Sequence, residues 1–262
     1  TLSVGVLANY NSALNEGIHF YPGIDASYRI GDNFRLYGSW NRALRMPTFT
    51  DLYYEGKTNK GNPDLKPEES EAFEVGLKYN TYFLRAHIAG FYRKGKNMID
   101  WVKEKPEDIW ESQNLTKVDN LGFETNLSLL PRELGNERFF IRKIELGYAF
   151  IHQDKDSEGY ISNYALDYLK HKFTAQLSHS IWKGFSATWY VRWQDRAGSY
   201  TKYENLKPAY EEPYAPYCLV DMKVNWEYQR LNLYAELNNL LNSTYYDLGN
   251  ICLLYTSPSP RD

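Results

Sequence analysis

Side chains suited to binding a small molecule are concentrated in the segment 43–69, which joins two strand-like stretches. Tyr53, Tyr54, Lys57 and Asn59 supply two aromatic rings, an ammonium group and an amide within seven residues. Such groups bind a ligand through stacking, charge and hydrogen bonds, without making or breaking covalent bonds. We therefore predict that these four residues contact a ligand.

A second tyrosine-rich segment, 199–213, reads SYTKYENLKPAYEEP and places Tyr200, Tyr203 and Tyr210 among lysines and glutamates. Tyrosine offers a broad contact area at a low cost in conformational entropy, so these three residues are further candidates for ligand contact. A polar loop whose tyrosines lie at a membrane interface would have the same composition, and both interpretations stay open.

Residues suited to catalysis or metal binding do not form a recognisable pattern. No two of the five histidines have the i, i+4 spacing of a helical zinc site, and no G-x-S-x-G or phosphate-binding glycine loop is present. The pairs Glu68-Glu69 and Glu211-Glu212 lie in predicted loops. We therefore predict no enzymatic activity, no metal and no cofactor. The net charge of −3 gives no basis for a nucleic-acid partner.

The elements that carry these segments are predicted to be strands. In 184–193, Phe185, Trp189 and Trp193 share one face, while Thr188 and Arg192 share the other. The same period-two alternation occurs in 82–92, 173–181 and 231–237. The apolar face of such a strand turns inward in a soluble sandwich and outward, toward lipid, in a membrane barrel.

Strand length and loop length favour the barrel. Several predicted strands exceed fourteen residues, whereas soluble strands usually have about 3–10. Short turns alternate strictly with long connections, as they do in outer-membrane barrels. The fold class predicted is an all-β, transmembrane antiparallel barrel with eleven strands, near residues 1–10, 17–30, 33–42, 70–80, 82–103, 111–130, 138–154, 165–182, 184–198, 214–228 and 230–241.

The segment 43–76 reads ALRMPTFTDLYYEGKTNKGNPDLKPEESEAFEVG. It resembles the R-x-P-x-x-x-x-L-Y … G-N-P-x-L-x-P-E-x-S … E-x-G signature of the β-barrel of TonB-dependent outer-membrane receptors. The shared residues are Arg45, Pro47, Leu52, Tyr53, Gly61, Asn62, Pro63, Leu65, Pro67, Glu68, Ser70, Glu74 and Gly76. The resemblance extends over most of 1–251 and is also strong at 114–124 and 236–250.

The resemblance implies that the signature shapes the loop. Prolines fix the backbone φ angle near −65°, and glycine permits angles that other residues resist. We therefore assign structural roles to Arg45, Pro47, Gly61, Asn62, Pro63, Pro67 and Glu68. Polar residues on the lumen face would pack against a plug domain, and these are Arg85, His87, Glu124, Asn126, Lys143, Glu145, Arg192, Lys223 and Glu236.

The resemblance also implies a function. Receptors of this family sit in the outer membrane of Gram-negative bacteria, surrounded by lipid, and import scarce nutrients of the siderophore-iron or cobalamin class. A small nutrient ligand binds at extracellular loops, and the TonB complex pulls on the plug domain. Large transporters of this kind have about 22 strands, so we expect 1–251 to be the C-terminal portion of one barrel, without the plug.

Both ends of the chain depart from this pattern. No signal peptide precedes Thr1, so we expect the true N-terminus to lie further upstream. Residues 252–262, CLLYTSPSPRD, match the translation of a sequencing adapter, and we expect them to be foreign to the protein. Cys252 would then have no role, and Cys218, within an alternating strand, would serve packing.

Two other classes of protein remain open at this point. One is an outer-membrane barrel without transport function, such as an adhesin or a structural barrel, and the absence of a plug in the full gene would favour it. The other is a soluble, glycan-binding β-sandwich. Partitioning of the refolded protein into detergent or bilayers separates the sandwich from either barrel.

Overall fold

The computed structural model describes residues 1–10, 18–105, 107–135, 139–156, 159–162, 168–204 and 207–246, with the backbone alone at 115–117, 155–156, 162, 201, 203–204, 207–209 and 211. Among these residues no helix is long and apolar enough to cross a membrane. The strands are β1 (Leu2–Tyr10), β2 (Ile18–Ile30), β3 (Phe34–Arg45), β4 (Asn59–Lys60), β5 (Glu68–Asn80), β6 (Leu84–Lys103), β7 (Trp110–Leu129), β8 (Ile141–Asp156), β9 (Ile161–Ser162), β10 (Leu169–Trp182), β11 (Phe185–Arg196), β12 (Ser199–Glu204), β13 (Lys207–Pro213), β14 (Tyr217–Tyr228) and β15 (Leu231–Leu237). A short α-helix, α1, spans Phe49–Tyr53, and a 3-10 helix spans Pro131–Leu134.

Eleven long strands form one sheet in the order β1-β2-β3-β5-β6-β7-β8-β10-β11-β14-β15. Each strand bonds to its neighbours along the chain, as in an up-and-down meander, and the pairs β1–β2, β2–β3, β8–β10, β10–β11, β11–β14 and β14–β15 are antiparallel. The predicted all-β class and the eleven strands are therefore confirmed. β4 and β9 add two residues each, and β12–β13 form a separate hairpin within the predicted loop 199–213.

Contacts divide the chain into two compact units. The first comprises Thr1–Leu77, Ala89–Phe123 and Ile151–Leu166, and the second comprises Lys78–Ile88, Glu124–Phe150 and Asp167–Asp262. Strands β5 to β8 contribute residues to both units. The first unit holds the segment 43–69, and the second holds the hairpin β12–β13.

The short turns lie where the sequence predicts them. Gly31, Gly184 and Gln229 have φ angles of 62°, 86° and 50°, in the left-handed region that tight hairpin turns require. At Gly184 a Cβ atom would collide with the backbone oxygen of Glu227, so a side chain cannot be accommodated there. Thr81 closes the turn between β5 and β6 with a hydrogen bond of 2.8 Å from its backbone nitrogen to the Leu84 oxygen.

The apolar face of the sheet is exposed. Leu177, Ile181 and Leu233 expose 36%, 56% and 52% of their surface, although they lie on the alternating apolar side of their strands. On the opposite side Ser178 and Thr188, which are cross-strand partners, join their hydroxyl groups at 3.1 Å. A soluble sandwich would bury the apolar side chains, so the sandwich interpretation is wrong. Exposed apolar residues of this kind face lipid in a membrane barrel.

Aromatic side chains frame this apolar face in the second unit. At one end the His171 ring lies 5.0 Å from Phe150 and 6.2 Å from Trp193. At the other end Trp226 stacks on Phe185 at 5.7 Å. Phe185 and Trp193 are eight residues apart in β11, which is about 26 Å along a strand. That distance is of the order of the ~25 Å apolar band between the aromatic girdles of outer-membrane barrels.

Leu177 pairs with Trp189, midway between the two aromatic groups, and therefore marks the centre of the apolar band. We expect Leu177→Arg to lower the free energy of unfolding in a bilayer by about 2–4 kcal/mol, the cost of an arginine facing lipid at the midplane. The measurement is denaturant-induced unfolding of the complete receptor folded into lipid vesicles. The control is Gln176→Arg, one residue away on the polar face, and equal losses in the two variants would contradict the assignment of faces.

Candidate functional site

A capped helical turn opens the loop between β3 and β5. The Thr48 hydroxyl accepts a hydrogen bond of 3.2 Å from the Asp51 backbone nitrogen, and the Asp51 carboxylate accepts one of 2.9 Å from the Thr48 nitrogen. This reciprocal capping box satisfies two backbone donors at the start of α1. The sequence analysis treats 43–69 as a connection between strands and does not single out this helical turn, although the T-x-x-D spacing is itself a helix-start signal.

The glycine of the signature allows the returning chain to lie against α1. The Gly61 nitrogen donates to the Tyr54 oxygen at 2.6 Å, and the Asn62 nitrogen donates to the Asp51 oxygen at 2.8 Å. A Cβ atom on Gly61 would lie 2.8 Å from the backbone carbon of Leu52, closer than packed atoms approach. The Asn62 side chain then accepts a bond of 2.9 Å from the Asp64 nitrogen, which turns the chain toward Leu65.

An ion pair between a half-exposed arginine and a buried carboxylate joins the two ends of the loop. Arg45, the last residue of β3, donates from Nε and Nη2 to the Glu68 carboxylate at 2.6 and 2.5 Å. Glu68, the first residue of β5, is 7% exposed and also accepts a bond of 2.7 Å from the Ile99 nitrogen. The hydrogen bond to Glu68 raises the pKa of Arg45. Two parallel bonds to one carboxylate fix direction as well as distance, so the pair sets the width of the loop base.

Asn114, on β7, attaches the loop to the sheet and was not identified as a site residue from the sequence. Its side-chain oxygen accepts from the Lys66 nitrogen at 2.8 Å, and its amide donates to the oxygens of Lys66 and Asn97 at 2.9 and 2.7 Å. The parallel pairing of β4 with β7 adds a second attachment, at Trp110. Asn114 lies 48 residues from Lys66, so its only signal in the sequence was its place in the matching segment 114–124.

The four predicted ligand contacts of this loop lie on its surface. Tyr53 and Tyr54 are 57% and 50% exposed, and Lys57 is exposed as well. The Tyr54 ring meets Trp101 edge-on at 6.4 Å between ring centroids, while the Asn59 side-chain oxygen accepts a bond of 2.7 Å from the Thr58 hydroxyl. Aromatic rings are thus displayed outward by a segment whose backbone is bonded to the sheet.

Phe49 belongs with these residues although sequence reasoning did not single it out. It is 79% exposed, and its ring centroid lies 5.0 Å from that of Tyr53. The one-turn spacing of α1 brings the two rings together. The helix therefore presents a small aromatic surface, and a Phe in a T-x-x-D helix start was the signal available in the sequence.

The other predicted contacts lie on the hairpin β12–β13. The Tyr200 hydroxyl donates to the Glu212 carboxylate at 3.0 Å, and the Tyr200 ring stacks on Tyr246 at 4.4 Å. The Lys202 ammonium lies 2.9 Å from the Glu212 carboxylate and 5.4 Å from the Tyr210 ring centroid. The backbone of Tyr203 pairs with Pro208, while its side chain lies outside the described residues.

Lys202 and Glu212 neutralise each other on this hairpin. The Lys202 ammonium, and then the Tyr200 hydroxyl, hold the pKa of Glu212 below its usual range. The hydrogen bond to Glu212 in turn raises the pKa of Lys202. At neutral pH the hairpin therefore carries a formed ion pair between two aromatic rings, and Tyr210 keeps 49% of its surface exposed.

Polar side chains predicted to face the lumen share a concave surface in the second unit. Arg85, His87, Asn126, Glu145 and Arg192 line a cavity of about 610 Å³. Two ion pairs join further predicted residues, with Lys143 2.8 Å from Glu145 and Lys223 2.8 Å from Glu236. The His87 ring lies 3.8 Å from the Glu124 carboxylate. Within the described residues no group of three or more His, Cys, Asp or Glu side chains could hold a metal ion.

A meander of long antiparallel strands with an exposed apolar face, aromatic ends and a polar opposite face defines an outer-membrane β-barrel. The chain belongs to the family of TonB-dependent receptor-like β-barrels, whose model matches residues 5–240. Family membership confirms the resemblance, the partial-barrel fold and the outer-membrane location. It also confirms the prediction that the chain is not an enzyme, because the family is one of receptors and transporters.

Curated relatives support the same family. The vitamin B12 transporter BtuB of Vibrio vulnificus is 27% identical over 178 residues, which are 54% of this chain and 28% of the relative. The ferripyoverdine receptor of Pseudomonas aeruginosa is 25% identical over 269 residues, covering 96% of this chain and 30% of the relative. The chain thus spans under a third of the length of these curated relatives.

Solved structures show the same fold. A ferric enterobactin receptor from Pseudomonas aeruginosa, in complex with enterobactin, superimposes with a TM-score of 0.70 at 20% identity, over 95% of this chain and 38% of that one. The copper transporter OprC superimposes with a TM-score of 0.66 at 16% identity, over 88% of this chain and 35% of that one.

Removing the charge from Glu68 tests the ion pair at the loop base. We expect Glu68→Gln to weaken the attachment of the loop by about 1.5–3 kcal/mol, the usual value of hydrogen bonds to a charged group. Amide hydrogen exchange of residues 46–67 in the complete receptor measures this loosening. The control is Glu69→Gln, whose carboxylate lies 3.6 Å from Arg42 at the surface, and equal exchange in both variants would contradict the role of Glu68.

Two glycines of the loop form a second matched pair. A Cβ atom on Gly61 meets backbone atoms of Leu52, Tyr53 and Tyr54, whereas one on Gly56 meets only the outer end of the Tyr54 ring. Because a side chain can turn aside and backbone cannot, we expect Gly61→Ala to displace the loop and Gly56→Ala to leave it in place. Limited proteolysis of the loop should accelerate in the first variant alone; protection in both would show that the close packing has no structural effect.

Proposed function

We propose that this chain is the C-terminal barrel portion, residues 1–251, of a TonB-dependent importer for a scarce nutrient of the siderophore-iron or cobalamin class. The nutrient binds at extracellular loops, the TonB complex pulls on a plug domain encoded elsewhere in the gene, and the ligand passes through the lumen. Residues 252–262 are foreign to the protein in this proposal. Sequencing the intact gene across both ends tests the plug and the native C-terminus directly.

The observation that carries the proposal is the built loop 46–67. Its base is fixed by Arg45 and Glu68, its middle by Gly61 and Asn114, and its surface displays tyrosines. A ligand that meets a preorganised surface does not have to order it, which favours high affinity. Relatives named for vitamin B12, ferripyoverdine and ferric enterobactin transport or reception support a nutrient of this size and polarity.

The long connections are extracellular in this proposal, and the short turns are periplasmic. The loop 46–67 and the hairpin β12–β13 then both lie on the outer side, where a nutrient arrives. The polar concave surface around Arg85 and Arg192 lines the lumen and meets the plug. No residue of the chain is assigned a covalent step, since transport requires only binding, release and a change in the plug.

Substitution of the two adjacent tyrosines on the loop is the most direct test of ligand contact. We expect Tyr53→Ala combined with Tyr54→Ala to weaken binding of the transported ligand about tenfold or more, because buried aromatic contacts dominate recognition. The measurement is the Kd of the complete receptor for cyanocobalamin and for ferric enterobactin. Tyr28→Ala, at an exposed tyrosine on β2, is the control.

Uptake measurements on the complete receptor distinguish an importer from a barrel without transport function. In cells lacking TonB, uptake of the bound ligand should disappear while surface binding persists. Binding that does not lead to TonB-dependent uptake would favour an adhesin or structural barrel. An unchanged Kd in the tyrosine variant would place the ligand elsewhere on the receptor.

A further inference from the structure

An apolar groove crosses the outward face of the first unit. Its volume is about 670 Å³, and its walls include Ile24, Trp40, Phe73 and Leu121. Three of these walls, Ile24, Phe73 and Leu121, expose 39%, 44% and 57% of their surface. They lie on the side of the strands that faces lipid, because the alternate residues, such as Glu74, are polar and Glu74 accepts a bond of 2.7 Å from the Tyr37 hydroxyl.

The groove exists because neighbouring strands place small residues side by side. Ala26 and Gly38 are cross-strand partners in β2 and β3. On β6, a Cβ atom added to Gly90 would have only the Gly122 backbone oxygen of β7 within 4 Å, at 3.9 Å, so the surface is open at this glycine too. Three small residues, Ala26, Gly38 and Gly90, make a recess between walls of tryptophan, phenylalanine and leucine.

Charged side chains stand on the loop side of this groove. Arg42 lies two residues beyond Trp40 in β3, and Lys94 lies two residues beyond Tyr92 in β6, so each shares the outward face of its strand. Arg42, Lys94 and Lys96 line a small pocket together with Glu69 and Glu71. The pocket therefore continues the groove toward the ends of the strands that carry the loop 46–67.

The carboxylates of this pocket already have partners. Glu69 lies 3.6 Å from Arg42, and Glu71 accepts a hydrogen bond of 2.8 Å from the Trp40 indole nitrogen. Asp119, on the same side of β7, accepts a bond of 3.0 Å from the Tyr92 hydroxyl. Within the described part of the chain, neither Lys94 nor Lys96 forms an ion pair, and both side chains are exposed.

We propose that this groove and pocket bind a phosphorylated lipid of the outer leaflet, with an acyl chain in the groove and a phosphate at Lys94 and Lys96. Lysines next to a membrane attract anionic headgroups, and an apolar recess beside them accepts the attached chain. The occupant must carry both features, which selects an anionic phosphorylated glycolipid over a free anion. The inference rests on the proposed extracellular side of the long loops and not on the nutrient, so lipid retention and nutrient uptake can fail independently.

The experiment uses the complete receptor in nanodiscs of zwitterionic lipid, supplemented with diphosphorylated lipid A or with the same lipid A after dephosphorylation. Native mass spectrometry counts the retained molecules. We expect Lys94→Gln combined with Lys96→Gln to reduce retention of the phosphorylated form about 25-fold, since each lysine at an anionic lipid surface contributes roughly a factor of five. Lys66→Gln combined with Lys105→Gln removes the same charge from exposed loop positions and should leave retention unchanged.

A second variant tests the groove separately. Gly90→Val should reduce retention to a similar extent by filling the recess, while the first carbon of its side chain still clears Gly122. Inorganic phosphate at millimolar concentration should not displace the lipid. The proposal is overturned if the dephosphorylated lipid is retained equally, if free phosphate competes, if both variants retain lipid as the unmodified receptor does, or if a second copy of the receptor covers the groove instead.

Discussion

Every backbone amide and carbonyl group that enters a bilayer must have a hydrogen-bond partner within the protein, because lipid offers none. In this chain the sequential antiparallel pairing of eleven strands provides those partners, from β1 through β15. The remaining features follow from that requirement. Side chains are divided between two faces with a period of two, apolar residues such as Leu177 cover the lipid face, and polar residues such as Arg192 occupy the other. Left-handed residues at Gly31, Gly184 and Gln229 reverse the chain in the fewest residues, which leaves the strands unbroken.

The loop between β3 and β5 follows a different principle. Leu65 is buried, but Phe49, Tyr53 and Tyr54 are exposed, and polar contacts to the sheet hold the loop in place. The carboxylate of Glu68 accepts from both Arg45 and the Ile99 backbone, and Asn114 uses both ends of its amide. These groups are buried or half-buried, and leaving one of them unpaired would cost the free energy of its desolvation. The lysine and tyrosine side chains between these contacts are not among the polar groups that attach the loop to the sheet.

Much of the sheet is predictable from the sequence, because alternation is a local property that a window of ten residues reveals. The strands, the turns and the lipid-facing orientation of Trp189 and Val191 can all be predicted from such local patterns. The contacts that shape the loop are less accessible. Asn114 and Lys66 are 48 residues apart, and Tyr200 stacks on Tyr246 across 46 residues of chain. No local pattern encodes such pairs. The hairpin β12–β13 could not be predicted from the sequence because its Lys, Glu and Pro residues are weak strand formers. The helix α1 could have been predicted from the sequence, since its capping box is a four-residue signal.

Structural and exposed residues alternate closely along 43–69, and this arrangement affects how such a protein can change over evolutionary time. Arg45, Gly61 and Glu68 maintain the course of the backbone. The side chains at the intervening positions 53–59 project from it and make few contacts with the rest of the protein. Substitutions at the projecting positions can therefore accumulate without endangering folding in the membrane. In the proposed importer, one scaffold can then diversify toward chemically unrelated ligands through a few exposed side chains.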